Sequence, residues 1–308
     1  MHIAAIGDDA GMAAVRQALQ QDTGVRVHQL PNRIGIPAIR KKYGVDLVVE
    51  QQGAFWTTSP PNPLDLLRLC ETFSKIQPPD PHYRKDGGTT FSLVTITDGL
   101  RVVPLGFVQK YWRQLSGGLI ASVGSHTLPC RVDTQEFLLS VLRSLQQVMY
   151  GTNSPYRGFL NIEFGQTDLY ECTAEFGSPE AQVILPASRA ETFADLCRAA
   201  AFGTLSMPRM RFLSRHAVCI TLRREVSFRH TAAKITGCDS VECAAAHLFP
   251  EGMYWADGWY ALPHHEIIAY VVGTGHTIHE ARTQALVAAG SIRYPGVVYE
   301  SDIGLAYI

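Results

Sequence analysis

Net charge is almost absent from this chain: the formal balance is -1 at pH 7, so no broad attraction to nucleic acid or to an anionic membrane is expected. No apolar run is long enough to span a bilayer. Residues 1–6 are too short an apolar stretch for a secretory leader, and Asp8 and Asp9 interrupt it. The seven cysteines, at positions 70, 130, 172, 197, 219, 238 and 243, form an odd set with no Cys-x-x-Cys pair. That pattern points to reduced thiols in a cytoplasmic setting. There is no Gly-x-Ser-x-Gly elbow and no Ser/His/Asp grouping, so a hydrolase reading has no support. Repeats and low-complexity tracts are missing too. What remains is an ordinary globular composition of 308 residues, 46% hydrophobic and 18% charged, enough for two modest domains or one large one.

The chain opens on a buried strand at residues 2–6, then a turn at Gly7 to Gly11 and a helix over Met12 to Gln20. Val25 to Gln29 and Val45 to Glu50 have strand character, with a short helix expected over Ile36 to Tyr43, so residues 1–52 read as a small parallel α/β unit. Residues 53–88 shift to Pro-rich loop around one helical segment, Leu64 to Ile76. Thr90 to Thr97, a turn at Asp98 and Gly99, and Leu100 to Leu105 form a hairpin. Phe137 to Met149 carries helical spacing behind Asp133 and Glu136, and Ser188 with Glu191 opens another helix through Ala201. A strand over Phe212 to Leu222 begins the last section, where Thr277 and Glu280 form a capping box.

The most informative stretch is Tyr156 to Pro186. Gly158 to Phe164, a turn at Gly165 to Asp168, and Leu169 to Thr173 predict a second hairpin that sets Glu163 beside Glu171. Two carboxylates on one face of adjacent strands can hold a cation between them. The following residues, Glu171-Cys-Thr-Ala-Glu-Phe-Gly-Ser-Pro-Glu-Ala-Gln182, resemble a motif of the glycinamide ribonucleotide synthetase family, the phosphoribosylamine–glycine ligases, which have an ATP-grasp fold. The family pattern is Glu-Phe-Asn-x-Arg-Phe-Gly-Asp-Pro-Glu-Thr-Gln. Here Thr173 replaces the metal-ligating Asn, Glu175 an Arg, and Ser178 the Asp.

The resemblance extends from Asp86 to the closing Asp302-Ile303-Gly304. It implies a substrate-side run of Gln-Asp-His-Lys-Arg, where this chain has Gln109, Lys110, Tyr111, Trp112 and Arg113. It also implies a Gly-rich loop, of which Ser116, Gly117 and Gly118 look like the remnant. On that basis Glu163 and Glu171 are the expected metal residues, with Ser116, Gly117 and Gly118 contacting phosphate or substrate. Arg113 joins them in that contact, and Gln109 orients the substrate. The family's opening turn also carries substrate-binding residues, whereas here the two aspartates leave a structural strand-to-helix turn. A nucleotide lid of about four strands and two helices needs on the order of 60 residues; residues 53–88 supply 36, without the family's glycine-rich flap.

The expected fold is α/β to α+β. An abbreviated N-terminal unit (1–52) and a Pro-rich connection (53–88) precede an ATP-grasp-like antiparallel core (89–205) with helices on one side, then a C-terminal α+β domain (206–308). Two functions follow from the resemblance. The first is a reduced homologue that binds a small-molecule ligand or a protein partner without stand-alone ligase activity. The second is an active ATP- and Mg²⁺-dependent carboxylate–amine ligase with a rebuilt or partner-supplied nucleotide site. A sheet without its lid exposes apolar surface, so a homo-oligomer is expected. The clusters His276/His279/Glu280 and His264/His265/Glu266 read as exposed loop histidines, and Cys172 as a buried thiol. Tyr111 and Trp112 beside Arg113 give no clear nucleic-acid signal.

Overall fold

The computed structural model describes residues 1–6, 10–21, 25–30, 41–42, 45, 47–50, 55–56, 88–114, 120–128, 132–152, 156–165, 169–188, 193–206, 215–230, 232–243 and 246–305. The N-terminal unit is a sheet of order β2-β1-β3-β4, made of β1 (His2–Ile6), β2 (Arg26–Leu30), β3 (Leu47–Glu50) and β4 (Phe55–Trp56). β1 pairs in parallel with both β2 and β3, which is the parallel α/β unit expected from the three apolar runs. Helix α1 (Ala10–Gln20) follows β1 and buries Met12, Val15 and Leu19. The turn at Asp8 and Asp9, all of the helix expected over 36–43 except residues 41–42, and most of the Pro-rich connection lie outside the described residues.

The large sheet collects β5 (Gly88–Thr97), β6 (Val102–Gln114), β7 (Ile120–Thr127), β8 (Gly158–Phe164), β9 (Leu169–Thr173), β10 (His216–Arg224), β12 (His247–Pro250) and β15 (Ile267–Gly275) in the order β12-β15-β10-β7-β6-β5-β8-β9. β16 (Val297–Val298) pairs with β10. β11 (Ala233–Ile235), β13 (Met253–Trp255) and β14 (Trp259–Ala261) form a separate small sheet. The β5/β6 hairpin closes where expected. Asp98 Oδ1 accepts from the amides of Leu100 (3.0 Å) and Arg101 (2.7 Å), and Gly99 takes a positive φ of 93°, the left-handed conformation that glycine adopts without steric cost.

Helices cover both faces of this sheet, where one face was expected. The reason is in the strands. In β5, Leu93 packs with Val141, Leu145, Val148 and Met149 of α2 (Val132–Thr152). Its neighbours Val94 and Ile96 join the cluster of α1, α3 (Glu180–Ala187) and α4 (Phe193–Phe202) on the other side. Side chains alternate across a strand, so a run apolar at consecutive positions is a strand buried on both faces. β8 is buried throughout.

Near the C-terminal end, α5 (Asp239–Cys243) precedes the small-sheet hairpin, and α6 (Ile278–Ser291) packs on β15 and β10. The capping box is present: Thr277 Oγ1 accepts from the Glu280 amide at 3.1 Å, and the Glu280 carboxylate accepts from the His276 amide at 2.8 Å. That employs Glu280 as a cap, with His276 and His279 exposed beside it. Thr277→Ala is expected to cost about 1 kcal/mol in a chemical denaturation series, since an N-cap hydroxyl satisfies an otherwise orphan helix amide.

Candidate functional site

Antiparallel register sets Glu163 of β8 opposite Glu171 of β9 on one side and Ser92 of β5 on the other. Two residues along, Asn161 pairs with Thr173. With a period of two along each strand, these side chains share one face, and Lys110 and Trp112 of β6 join them at the wall of a cleft of about 270 Å³. Glu175 and Ser178, from the segment between β9 and α3, and Glu180, the first residue of α3, line its far side.

The centre of the cleft is an ion cluster. Lys110 Nζ lies 3.0 Å from Glu163 Oε2 and 2.9 Å from Glu180 Oε1, with all three side chains buried. Glu180 Oε1 also accepts from Ser92 Oγ at 2.8 Å and Asn161 Nδ2 at 3.0 Å. The ammonium stands 5.0 Å from the centre of the Trp112 ring, within range of an attractive cation–π contact, and Trp112 Nε1 donates to Thr90 Oγ1 at 2.9 Å.

Burial alone would drive Lys110 toward its neutral form, but attraction to Glu180 and then Glu163, with hydrogen bonds to both, raises its pKa above the ordinary 10.5. Glu180 mirrors it. Burial opposes its charge, while Lys110, Ser92 and Asn161 together hold its carboxyl below the usual 4.5. Glu180 also opens α3, where the helix dipole favours a negative charge. Glu175, exposed at the rim, is raised first by desolvation and then by repulsion from Glu180.

The matched motif therefore has a structural half. Gly177 has φ +83°, and a Cβ there would fall 2.7 Å from Asn161 Nδ2 and 2.9 Å from Glu180 Oε2. Glycine is required both for the conformation and for the close approach. Phe176 packs edge-on against Phe159 with ring centres 4.4 Å apart. Glu180 anchors the lysine.

Of the residues singled out from sequence, Glu163 and Glu171 come together as neighbours across β8 and β9. Arg113 reaches away from this cleft to Asp302, with Nη2 2.8 Å from Oδ2. Gln109, adjacent to Lys110 on β6, is buried and does not line the cleft. Ser116, Gly117 and Gly118 lie outside the described residues. Cys172 is a buried thiol. Lys110 and Glu180 were missed, although both stood in runs aligned with the family; the signal was a lysine two residues before Trp112, just after the apolar-rich run Val102 to Val108.

The donors can be tested against Mg²⁺, which demands oxygen ligands at about 2.0–2.1 Å in octahedral array. Glu163 Oε2 and Glu180 Oε1 are each taken by the Lys110 ammonium at hydrogen-bond distance, so at those two oxygens the inner half of this cleft does not fit a dication. Among the described residues, no group of three or more His, Cys, Asp or Glu side chains is arranged to hold a metal ion.

No protein-family model matches the chain. Curated relatives do. It is 30% identical over 238 residues to the phosphoribosylamine–glycine ligase of Leifsonia xyli subsp. xyli, covering 70% of this chain and 55% of that protein. To the enzyme of the same name from Pasteurella multocida it is 27% identical over 234 residues, covering 70% and 53%. The chain thus spans about half the length of the curated relatives it matches. The crystal structure of the phosphoribosylamine–glycine ligase from Thermotoga maritima superposes with a TM-score of 0.72 at 16% identity, covering 98% of this chain and 100% of that one. The mixed α/β architecture, the motif that ends at Gln182 and these matches agree: the chain is a divergent homologue within the phosphoribosylamine–glycine ligase family, built on the ATP-grasp fold.

Proposed function

We propose that this homologue binds a small ligand or a protein partner without stand-alone ligase activity. The observation that carries the reading is the Lys110 ammonium seated between Glu163 and Glu180, where a ligase of this kind would need a dication facing a triphosphate. The described residues lining the cleft bring four carboxylates against one ammonium. Without a bound dication such a wall repels a nucleoside triphosphate. The 36 residues from 53 to 88 also fall short of the roughly 60 that a nucleotide lid requires. A cytoplasmic setting and self-association remain part of this proposal, resting on the odd set of cysteines without a Cys-x-x-Cys pair and on the short segment from 53 to 88.

One observation favours the second reading, an active carboxylate–amine ligase using ATP and Mg²⁺ with a nucleotide site rebuilt or supplied by a partner: Glu163 and Glu171 do stand opposite one another. Titration calorimetry with ATP and Mg²⁺, followed by an assay for glycine-dependent ADP release, separates the two. No heat of binding and no ADP is the expected result. Tight ATP binding with glycine-dependent turnover would replace the first reading by the second.

A further inference from the structure

We infer that Lys110 is a resident cation: its ammonium takes the place of a metal ion at Glu163 and Glu180, and the cleft is held together without one. This deepens the reading above and rests on it for the identity of the site.

The geometry is that of a bound ion. Nζ sits 2.9 Å and 3.0 Å from two carboxylate oxygens of separate elements, β8 and α3. The nearer oxygen is further fixed by donors from Ser92 and Asn161. A tethered ammonium carries one positive charge where Mg²⁺ would carry two, and it needs hydrogen-bond distances in place of metal–oxygen ones. The two species cannot share the position. The smaller charge leaves the cleft with a surplus of negative charge, one ammonium among the four glutamates that line it.

If the ammonium is a substitute ion, removing it should create a vacancy that a free cation fills. Mn²⁺ is the probe, followed by the loss of the free-ion signal in electron paramagnetic resonance and by the thermal midpoint. Wild-type protein is expected to leave the Mn²⁺ signal unchanged and to melt at the same temperature with and without it. Lys110→Ala is expected to melt lower, to take up about one Mn²⁺ per chain, and to recover part of the lost midpoint. Adding Glu163→Gln to that variant should weaken the uptake at least tenfold. Should Lys110→Ala fail to fold, Lys110→Met keeps the aliphatic stem against Trp112 without the charge and carries the same test.

Mn²⁺ bound by wild type and released by Glu163→Gln would overturn the inference, as would a folded Lys110 variant that gains no Mn²⁺. The two proposals fail separately. ATP turnover by a wild type that binds no Mn²⁺ at Glu163 would remove the proposed function and leave the resident cation intact. Mn²⁺ held by wild type in the absence of turnover would do the opposite.

Discussion

Glu180→Leu is expected to lower the unfolding free energy by about 3–5 kcal/mol, the usual cost of removing one member of a buried ion pair. Leucine fills similar volume, so the loss is one of charge and hydrogen bonding. Lys110 keeps Glu163 alone, while Ser92 Oγ and Asn161 Nδ2 lose the acceptor they share. Glu180→Gln retains an acceptor oxygen for those two donors and should lose less. Equal losses in the two variants would show that the acceptor, without its charge, contributes nothing through Ser92 and Asn161.

The same cluster sets a pH signature. The folded pKa of Glu180 is depressed, so its contribution is complete above the ordinary carboxylate value of 4.5 and disappears as pH falls through the lower folded value. Lys110 is raised, so its contribution is complete below 10.5 and disappears as pH rises through the higher folded value. Stability from this pair should be flat across neutral pH and fall at both extremes. In Glu180→Leu the acid limb should flatten, measured as the denaturation midpoint between pH 2 and 7, roughly the range in which carboxylates titrate. An acid limb unchanged from wild type would assign acid sensitivity to other carboxylates.

The second large effect is expected at Gly273. This residue lies on β15, where a Cβ would fall 2.2 Å from the Ala281 carbonyl oxygen and 2.4 Å from the Ala285 amide nitrogen of α6. Those are backbone atoms of a helix and cannot swing aside. Gly273→Ala should therefore force the helix off the sheet and destabilise by about 1–3 kcal/mol or more, as overpacking of a close contact does. Ala285→Gly added in the same chain should give no rescue, because the obstruction is main chain. Recovery in the double variant would mean that the helix side chains, and not its backbone, set the spacing.

Much of the frame was readable from local pattern. The β8/β9 hairpin followed from apolar runs about a short polar turn, and its register made Glu163 and Glu171 neighbours. The cap at Thr277 followed from two residues three apart. What escaped was non-local. Lys110 and Glu180 are separated by 70 positions, and neither carries a local sign of the other. Glu180 stands in the sequence only as one residue of the motif ending at Gln182, with nothing to announce its full burial. The second layer of helices was legible in principle from β5, where Leu93 and Val94 are apolar side by side, but such a run is also compatible with one buried face and a hydrophobic exposed one. The pairing of β10 with β7, Cys219 against Ser125, has no signature in either strand.

That last pairing has a practical consequence for dissecting the molecule. The strands before and after residue 206 share one hydrogen-bonded ladder through β7 and β10, so an expressed fragment ending between them would carry β7 with its outer row of amides and carbonyls uncovered. Such a fragment is a template for stacking against its own copies, and deletion series on this protein are better kept clear of the shared ladder.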